Sequence, residues 1–316
     1  MNNTLTILKT GPLSSIQDGG RFGFTHLGIT QGGVADEYAY HWANTLLNNP
    51  FGSAVIEVTL GGFEAVFEQD TYIAITGAVS PILLDNVVTA SWQTLKVKKG
   101  QHLIIPTPRD GLRHYIALPG GVAAPLHLAS TATVTKECLG GLRRDGSILQ
   151  ARDVIQSRLH HLTLDHNLAV SPSYVPKLKH SSIVTLNVIL GSQYQTFSKE
   201  ALQRLFCSTF QVDKQSNKMG YQLKGQCISS PDRHLISEGI SIGAIQIPPN
   251  GQPIIMLCER QTIGGYPKVG NIARMDIGKL AQLKPGAKVK FVKSNVDKCT
   301  EQYQAWMRFF ENATLR

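Results

Sequence analysis

The sequence predicts a mainly β protein of two tandem, related domains of sandwich or barrel type, with a few short helices. Three observations predict it. Ten short runs rich in β-branched and aromatic residues alternate with Gly, Pro, Asn and Asp punctuation along the chain. The 29 glycines and 15 prolines supply many tight turns. Finally, Arg21-Phe22-Gly23-Phe24 followed by Gly28-Ile29-Thr30-Gln31-Gly32-Gly33-Val34 is echoed by Lys218-Met219-Gly220-Tyr221 followed by Gly239-Ile240-Ser241-Ile242-Gly243-Ala244-Ile245. The echo pairs one half of the chain with the other.

The expected strands are 4–9, 54–60, 63–68, 71–76, 101–105 and 113–118 in the first half, then 183–190, 241–247, 253–257 and 287–292 in the second. Four helices are expected. One follows Asp36 as N-cap, with Ala39, Trp42, Ala43, Leu46 and Leu47 on one face, and stops at Asn48-Asn49-Pro50. Two shorter ones begin at Ser198 and at Asp276, and a last one carries Tyr303, Trp306, Met307 and Phe310 on a stripe that packs on the core. The stretch 167–182, rich in Ser, Pro and Lys and without either period, reads as the connection. The expected division is therefore a domain at 1–168, a linker at 169–181 and a domain at 182–316.

Length and composition bound the function. A chain of 316 residues with 42% hydrophobic and 17% charged residues buries a full core, which excludes disorder and small disulfide scaffolds. The net charge of +9 invites a nucleic-acid reading. However, the basic cluster at Lys96, Lys98 and Lys99 lies in a strand pattern, and no recognition helix, zinc finger or RNP motif accompanies it. No nucleic-acid partner is expected; a pocket for an anionic substrate or an acidic protein partner remains open. Five cysteines without a C-x-x-C spacing predict free, mostly buried thiols in a reducing compartment. The first twelve residues have no secretory pattern and no apolar run is long enough to span a membrane, so the expected location is the cytoplasm, with no membrane partner.

Three stretches carry candidate chemistry. Gln17-Asp18-Gly19-Gly20-Arg21-Phe22-Gly23 is either a carboxylate or phosphate cradle or a turn in which Asp18 and Arg21 pair locally. Gln261-Thr262-Ile263-Gly264-Gly265-Tyr266-Pro267-Lys268 follows an apolar strand. It combines a close-approach Gly-Gly, the Tyr266 ring and hydroxyl, and a Lys268 point charge suited to a developing oxyanion, although a simple Gly-Gly hairpin explains it equally. Ser216-Asn217-Lys218-Met219-Gly220-Tyr221 is either a carboxylate-binding turn or a solvated one. No G-x-x-x-x-G-K-[ST], dinucleotide G-x-G-x-x-G or G-x-S-x-G element is present, and the histidines His160, His161 and His166 lack a metal-binding pattern, so no metal is expected.

At these stretches the chain resembles the biotin-dependent carboxyltransferase family, also called allophanate hydrolase subunit 2 or KipA-like proteins, and within it the C subunits of bacterial 5-oxoprolinases. The resemblance rests on residues 17–23, on Gly32-Gly33-Val34-Ala35-Asp36 and Ala43-Asn44-Thr45-Leu46-Leu47-Asn48-Asn49, and on Ile75-Thr76-Gly77-Ala78 and Met219-Gly220-Tyr221-Gln222-Leu223. Residues 243–251 and the loop 261–268 complete it. It implies two β-barrel domains of cyclophilin-like topology. Lys218 stands where the family usually has Arg, Glu259 where Asp is usual, and Asp145-Gly146 where Gly-Asp is common. The first two keep charge but change reach.

What the resemblance implies is a subunit of an ATP-dependent 5-oxoprolinase, which opens the lactam of 5-oxo-L-proline to L-glutamate together with KipI-like and LamB/YcsF-like subunits. ATP would be used by the complex, with no site for it assigned to this chain. The alternatives are a carboxyltransferase component of a urea carboxylase system, for which alone biotin would be the cofactor, and a regulatory protein that binds a KipI-like partner without catalysis. On the leading expectation Lys268 and the Gly264-Gly265 backbone serve the oxyanion, Gln261 and Tyr266 orient the substrate, and Arg21 or Lys218 takes its carboxylate. Gln17, Asp18, Gly32, Gly33, Asn217 and Gln246 complete the binding set.

Overall fold

A computed structural model describes residues 4–160, 162–164, 167–179, 181–231 and 236–313. The chain divides into two compact units, one of Met1–Arg21, Gly32–Lys179 and Arg308–Arg316, the other of Phe22–Gln31 and His180–Met307.

In the first unit the strands run, in chain order, β1 (Leu5–Thr10), β2 (Leu13–Gln17), β3 (Val55–Thr59), β4 (Phe63–Phe67), β5 (Thr71–Gly77) and β6 (Ile82–Leu84). After them come β7 (Val87–Thr89), β8 (Gln93–Val97), β9 (His102–Ile105), β10 (Arg113–Ala117) and β11 (Val154–Ile155). They form a six-stranded sheet, β11-β1-β4-β9-β6-β7, and a five-stranded sheet, β2-β3-β10-β5-β8. One core lies between them. Leu5, Ile7, Phe63, Phe67 and Leu103 from the first sheet meet Ile16, Ile56, Val58, Ile73 and Ile116 from the second, the alternate inward residues of each strand. Helix α1 (Glu37–Leu46) starts as its sequence dictates, with Asp36 accepting from the Ala39 amide at 3.2 Å. It ends where Asn48 takes a left-handed φ of 50°.

The second unit contains β12 (Ile183–Leu190), α2 (Lys199–Cys207), β13 (Thr209–Val212), β14 (Gly220–Lys224), β15 (Glu238–Gly239), β16 (Ala244–Gln246) and β17 (Ile254–Met256). It continues with β18 (Ile263–Gly264), β19 (Lys268–Ile272), α3 (Arg274–Ala281), β20 (Lys288–Ser294) and most of α4 (Val296–Asn312). Seven strands close into a barrel, β12-β19-β16-β17-β14-β13-β20, sealed by the parallel pairing of β20 with β12. The barrel is filled by Leu186, Val188, Phe210, Tyr221, Ile245, Ile255, Val269 and Phe291. Strands β15 and β18 form a separate two-stranded ladder. The mainly β fold with a few short helices is thus the observed one.

Several expectations change. Residues 168–170 extend the edge of β8, with the Thr94 amide donating to Leu168 O at 2.8 Å and the Val170 amide to Trp92 O at 2.9 Å, so the expected linker's first two residues, 169 and 170, lie against a strand. The open backbone groups of an edge strand recruit this segment, and the first unit runs on to Lys179. Helix α3 begins at Arg274, two residues before Asp276, whose carboxylate instead accepts from the Asn187 amide at 2.7 Å and its side chain at 2.8 Å. The strand expected at 241–247 shortens to Ala244–Gln246 because Gly243, at φ 80°, makes a turn before it.

The glycine echo between the halves does not extend to the backbone here: Gly23 is a loop residue at φ 87°, whereas Gly220 opens β14. All five cysteines are free, but Cys138, Cys207 and Cys227 are exposed and only Cys258 and Cys299 are buried. His161 and His166 lie outside the described residues. Among the described residues no helix is long and apolar enough to cross a membrane, and no group of three or more His, Cys, Asp or Glu is placed to hold a metal ion. The last turn of α4 belongs to the first unit, where Phe310 is buried and stacks on His41 with ring centroids 5.2 Å apart.

Candidate functional site

In the second unit, strand alternation builds a cavity on the outer face of the barrel. Tyr221, Ile245 and Ile255 point into the core, so their neighbours Gly220, Gln222, Gln246, Ile254 and Met256 share the opposite face. With Asn217 and Met219 from the turn before β14, and with Gln261, Gly264, Gly265 and Tyr266 from the loop around β18, they line a cavity of about 590 Å³. Six sequence-predicted site residues therefore come together: Asn217, Gln246, Gln261, Gly264, Gly265 and Tyr266.

Each wall has a physical support. Asn217 Oδ1 accepts from the Met219 amide at 2.8 Å, a local turn that sets the entry to β14. The loop is held by the β15–β18 ladder, with Glu238 opposite Gly264 and Gly239 opposite Ile263, and by Arg260, whose Nε donates to Ile240 O at 2.8 Å. Burial pushes the Arg260 guanidinium below its ordinary value. Gly264 has a clear spatial reason. An added Cβ would stand 2.6 Å from Ile240 Cδ1 and 3.3 Å from Gln246 Nε2.

The lining is uncharged. The two lysines expected to serve the substrate are engaged elsewhere and do not line the cavity. Lys218, buried, faces Glu259 at 3.3 Å, and Lys268, the first residue of β19, forms an ion pair with Glu238. Gln193 completes that second group: its Nε2 donates to the Glu238 carboxylate, and its Oε1 accepts from the Lys268 amide at 2.8 Å. A buried ammonium needs such a partner, and Glu238 and Glu259 provide it. This corrects the expectation that cationic side chains line the pocket. What remains is a set of carboxamides, glycine backbone, one phenol and the apolar Met219, Ile254 and Met256, suited to hydrogen-bonding a small neutral polar group against an apolar wall.

The other predicted residues, Gln17, Asp18, Arg21, Gly32 and Gly33, belong to the first unit and form a buried polar network with residues 127–133. Asp18 accepts from Gly20 N at 2.9 Å, Ser130 Oγ at 2.6 Å, Thr131 N at 2.7 Å and Thr131 Oγ1 at 3.1 Å. Arg21, only 1% exposed, donates to His127 O at 3.0 Å and Ala132 O at 2.9 Å. Burial lowers its pKa, with Asp18 opposing that shift. Gln17 Nε2 donates to Ser15 Oγ at 2.9 Å and Thr133 O at 3.1 Å. Gly33, at φ 92°, lets the chain approach Gly20, whose N and Cα lie 2.9 Å from where a Cβ would stand. This stretch is neither an open anion cradle nor a turn closed by a local Asp18–Arg21 pair. Asp18 and Arg21 are held by main-chain and hydroxyl groups far along the chain.

Sequence reasoning missed Gly220, Gln222, Ile254, Met219 and Met256 as cavity residues, and Gln193 and Glu238 as supports. The alternation of Tyr221 and Leu223 with Gly220 and Gln222 was the available signal for β14. Gln193 and Glu238 give none, since Gln193 lies 75 residues from Lys268 along the chain and both meet it only in the folded structure.

Comparison with known proteins places this geometry in a family. Residues 27–293 match the family described as carboxyltransferase domain, subdomain A and B. The chain is 33% identical to the 5-oxoprolinase C subunit of Escherichia coli (strain K12) over 99% of its own length and 98% of that protein. It is 32% identical to the 5-oxoprolinase C subunit of Haemophilus influenzae over 91% of its length and 90% of that protein. The urea amidolyase of K. lactis shares its fold with a TM-score of 0.90 at 24% identity, over 100% of this chain and 20% of that larger one. The chain is a member of the carboxyltransferase domain, subdomain A and B, family.

Proposed function

We propose that this chain is a subunit of an ATP-dependent 5-oxoprolinase that hydrolyses 5-oxo-L-proline to L-glutamate, working with KipI-like and LamB/YcsF-like subunits. The reading is supported by full-length similarity to two proteins named as the C subunit of 5-oxoprolinase. The observation that carries it is the uncharged, carboxamide-lined cavity of about 590 Å³, which suits the amide of a small lactam.

An unstrained lactam resists hydrolysis, so its carbonyl needs activation. In the proposed reaction the γ-phosphoryl group of ATP is transferred to the lactam oxygen, water attacks the carbonyl carbon, the ring C–N bond breaks, and the amine takes up a proton as phosphate leaves. Here Gln246 and Gln261 hold the ring amide, the Gly264-Gly265 backbone lies along the carbonyl, and Tyr266 covers the ring face. Lys268 acts on this loop through Glu238. ATP is used by the complex, and with no phosphate-binding glycine loop in the sequence no site for it is assigned to this chain.

The test is 5-oxoproline-dependent ATP hydrolysis with all three subunits and again with this chain omitted. Hydrolysis that requires the chain supports the reading; full coupled turnover without it refutes it. A second reading, a carboxyltransferase component acting with biotin, is favoured by the family description itself. Loss of activity on adding avidin would select it.

A further inference from the structure

We propose that a cleft of the first unit, lined by residues 79–81, 88–93 and 169–179, binds an aliphatic monocarboxylate, its chain against the apolar wall and its carboxylate met by the Ser80 hydroxyl, Lys177 and Lys179.

The cleft measures about 810 Å³, and all its lining residues belong to the first unit. That is the size of a small-molecule site. Its walls are fixed by the fold. Leu168 and Val170 are hydrogen-bonded to β8, and Leu178 packs on Gly111, where an added Cβ would stand 3.1 Å from Leu178 Cδ1. With Leu178, the side chains of Val79, Pro81, Val88, Trp92 and Val170 give an apolar surface, and Val88 is 67% exposed on it. Covering such a surface with an aliphatic chain is favourable.

Most polar groups of the wall already bond within the chain. Trp92 Nε1 donates to Gly77 O at 3.0 Å, Ser91 Oγ to Ala78 O at 3.4 Å, and Gln93 Nε2 to Thr89 Oγ1 at 3.2 Å and Ala90 O at 3.1 Å. Ser80 differs. It is 8% exposed and lines the cleft, and among the described residues its side chain has one hydrogen-bond partner, His114 Nε2 at 2.8 Å. A hydroxyl both donates and accepts, so this single contact leaves capacity for a ligand. In the proposed complex His114 Nε2–H donates to Ser80 Oγ, and the Ser80 O–H donates to the carboxylate.

Charge chooses the head group. Lys177 and Lys179 line the cleft, both exposed and, among the described residues, in no ion pair, whereas Asp110 is the one acid of the lining. Two cations against one anion favour a singly charged acid over an alcohol or a cation of the same length. The lysine stems extend the apolar wall beneath their ammonium groups. This cleft shares no residue with the cavity of the second unit, so the proposal stands or falls apart from the 5-oxoprolinase reading.

The test is isothermal titration calorimetry of the full chain with octanoate, 1-octanol and octyltrimethylammonium. Octanoate is expected to bind at least tenfold more tightly than the other two. Replacing both lysines, Lys177→Gln with Lys179→Gln, should erase that preference. Ser80→Ala should weaken octanoate about fivefold or more, and Leu178→Glu should abolish its binding. Octanol binding as tightly as octanoate, or octanoate binding untouched by any one of these variants, would overturn the proposal. So would no binding of any of the three ligands, the result expected of a face that a partner subunit covers. Should Ser80→Ala fail to fold, the ligand series and the exposed-lysine variant decide alone.

Discussion

Gly264 and Gln246 face each other so closely that a single methyl group on the glycine would lie 3.3 Å from the carboxamide nitrogen. The other close atom, Ile240 Cδ1 at 2.6 Å, is the far end of a flexible side chain. No positive φ constrains Gly264. Gly264→Ala should therefore cost about 1 kcal/mol or less in thermal unfolding, at the low end of overpacking effects. It should weaken cavity ligands about tenfold, roughly 1.4 kcal/mol. Calorimetric binding alongside the melt separates the two effects.

Lys268 and Glu238 are predicted to act as a unit. Glu238 is half exposed, so the ion pair itself is worth about 0.2–1 kcal/mol. Its consequence is the placement of the loop bearing Gly264. In a double-mutant cycle, Lys268→Met and Glu238→Gln should each lower turnover by similar factors, and the double variant should lower it no further. A Lys268 effect on kcat of about a hundredfold or more, with Glu238→Gln silent, would make Lys268 a direct oxyanion donor.

Asp213 supports the turn that presents Asn217: its carboxylate accepts from Gln215 N at 2.9 Å, and Ser216 N donates to its backbone oxygen at 3.1 Å. The side-chain bond from Lys224, with that from Gln215, holds Asp213 below the usual carboxylate range. A depressed folded-state pKa contributes stability that is fully present above the unfolded value of about 3.9 and is lost as pH falls through the lower folded value. Asp213→Asn should remove that part of the acid dependence below about pH 4 while changing its slope little near neutrality. Acid titrations followed by circular dichroism check it; identical acid limbs for the two proteins would count against the assignment.

Gly33 serves structure in the first unit. At φ 92°, with backbone atoms of Gly20 2.9 Å from an added Cβ, neither the conformation nor the neighbour yields easily. Gly33→Ala should cost about 1–3 kcal/mol or more of stability. Denaturant unfolding measures it, and a loss below about 0.5 kcal/mol would contradict the network described for Asp18 and Arg21.

Helices α1 and α2 are legible in the sequence because an Asp36 or Ser198 cap precedes a 3.6-residue apolar period, both local signals. Strand β14 carries a weaker signal, since Gly220 and Gln222 alternate with only two inward apolar residues, Tyr221 and Leu223. Within the site, the loop residues Gln261, Gly264, Gly265 and Tyr266 are readable from glycine and aromatic chemistry after an apolar strand. The state of Lys268 is not. Its partner Glu238 lies thirty residues earlier on a strand of only two residues, so no local pattern distinguishes a solvent-facing cation from one already neutralised. Likewise the composition of 167–182 resembles a linker, while the backbone of its residues 168–170 is claimed by the open edge of β8.

The most direct measurement is turnover of the assembly of all three subunits carrying Gln246→Ala, read as 5-oxoproline-dependent ATP hydrolysis with assembly checked by size-exclusion chromatography. Removing a buried partner of the ring amide is expected to lower kcat/KM about tenfold to a hundredfold while the complex still forms. An assembled complex whose kcat/KM stays within about twofold of the unaltered one would contradict the placement of the substrate in this cavity.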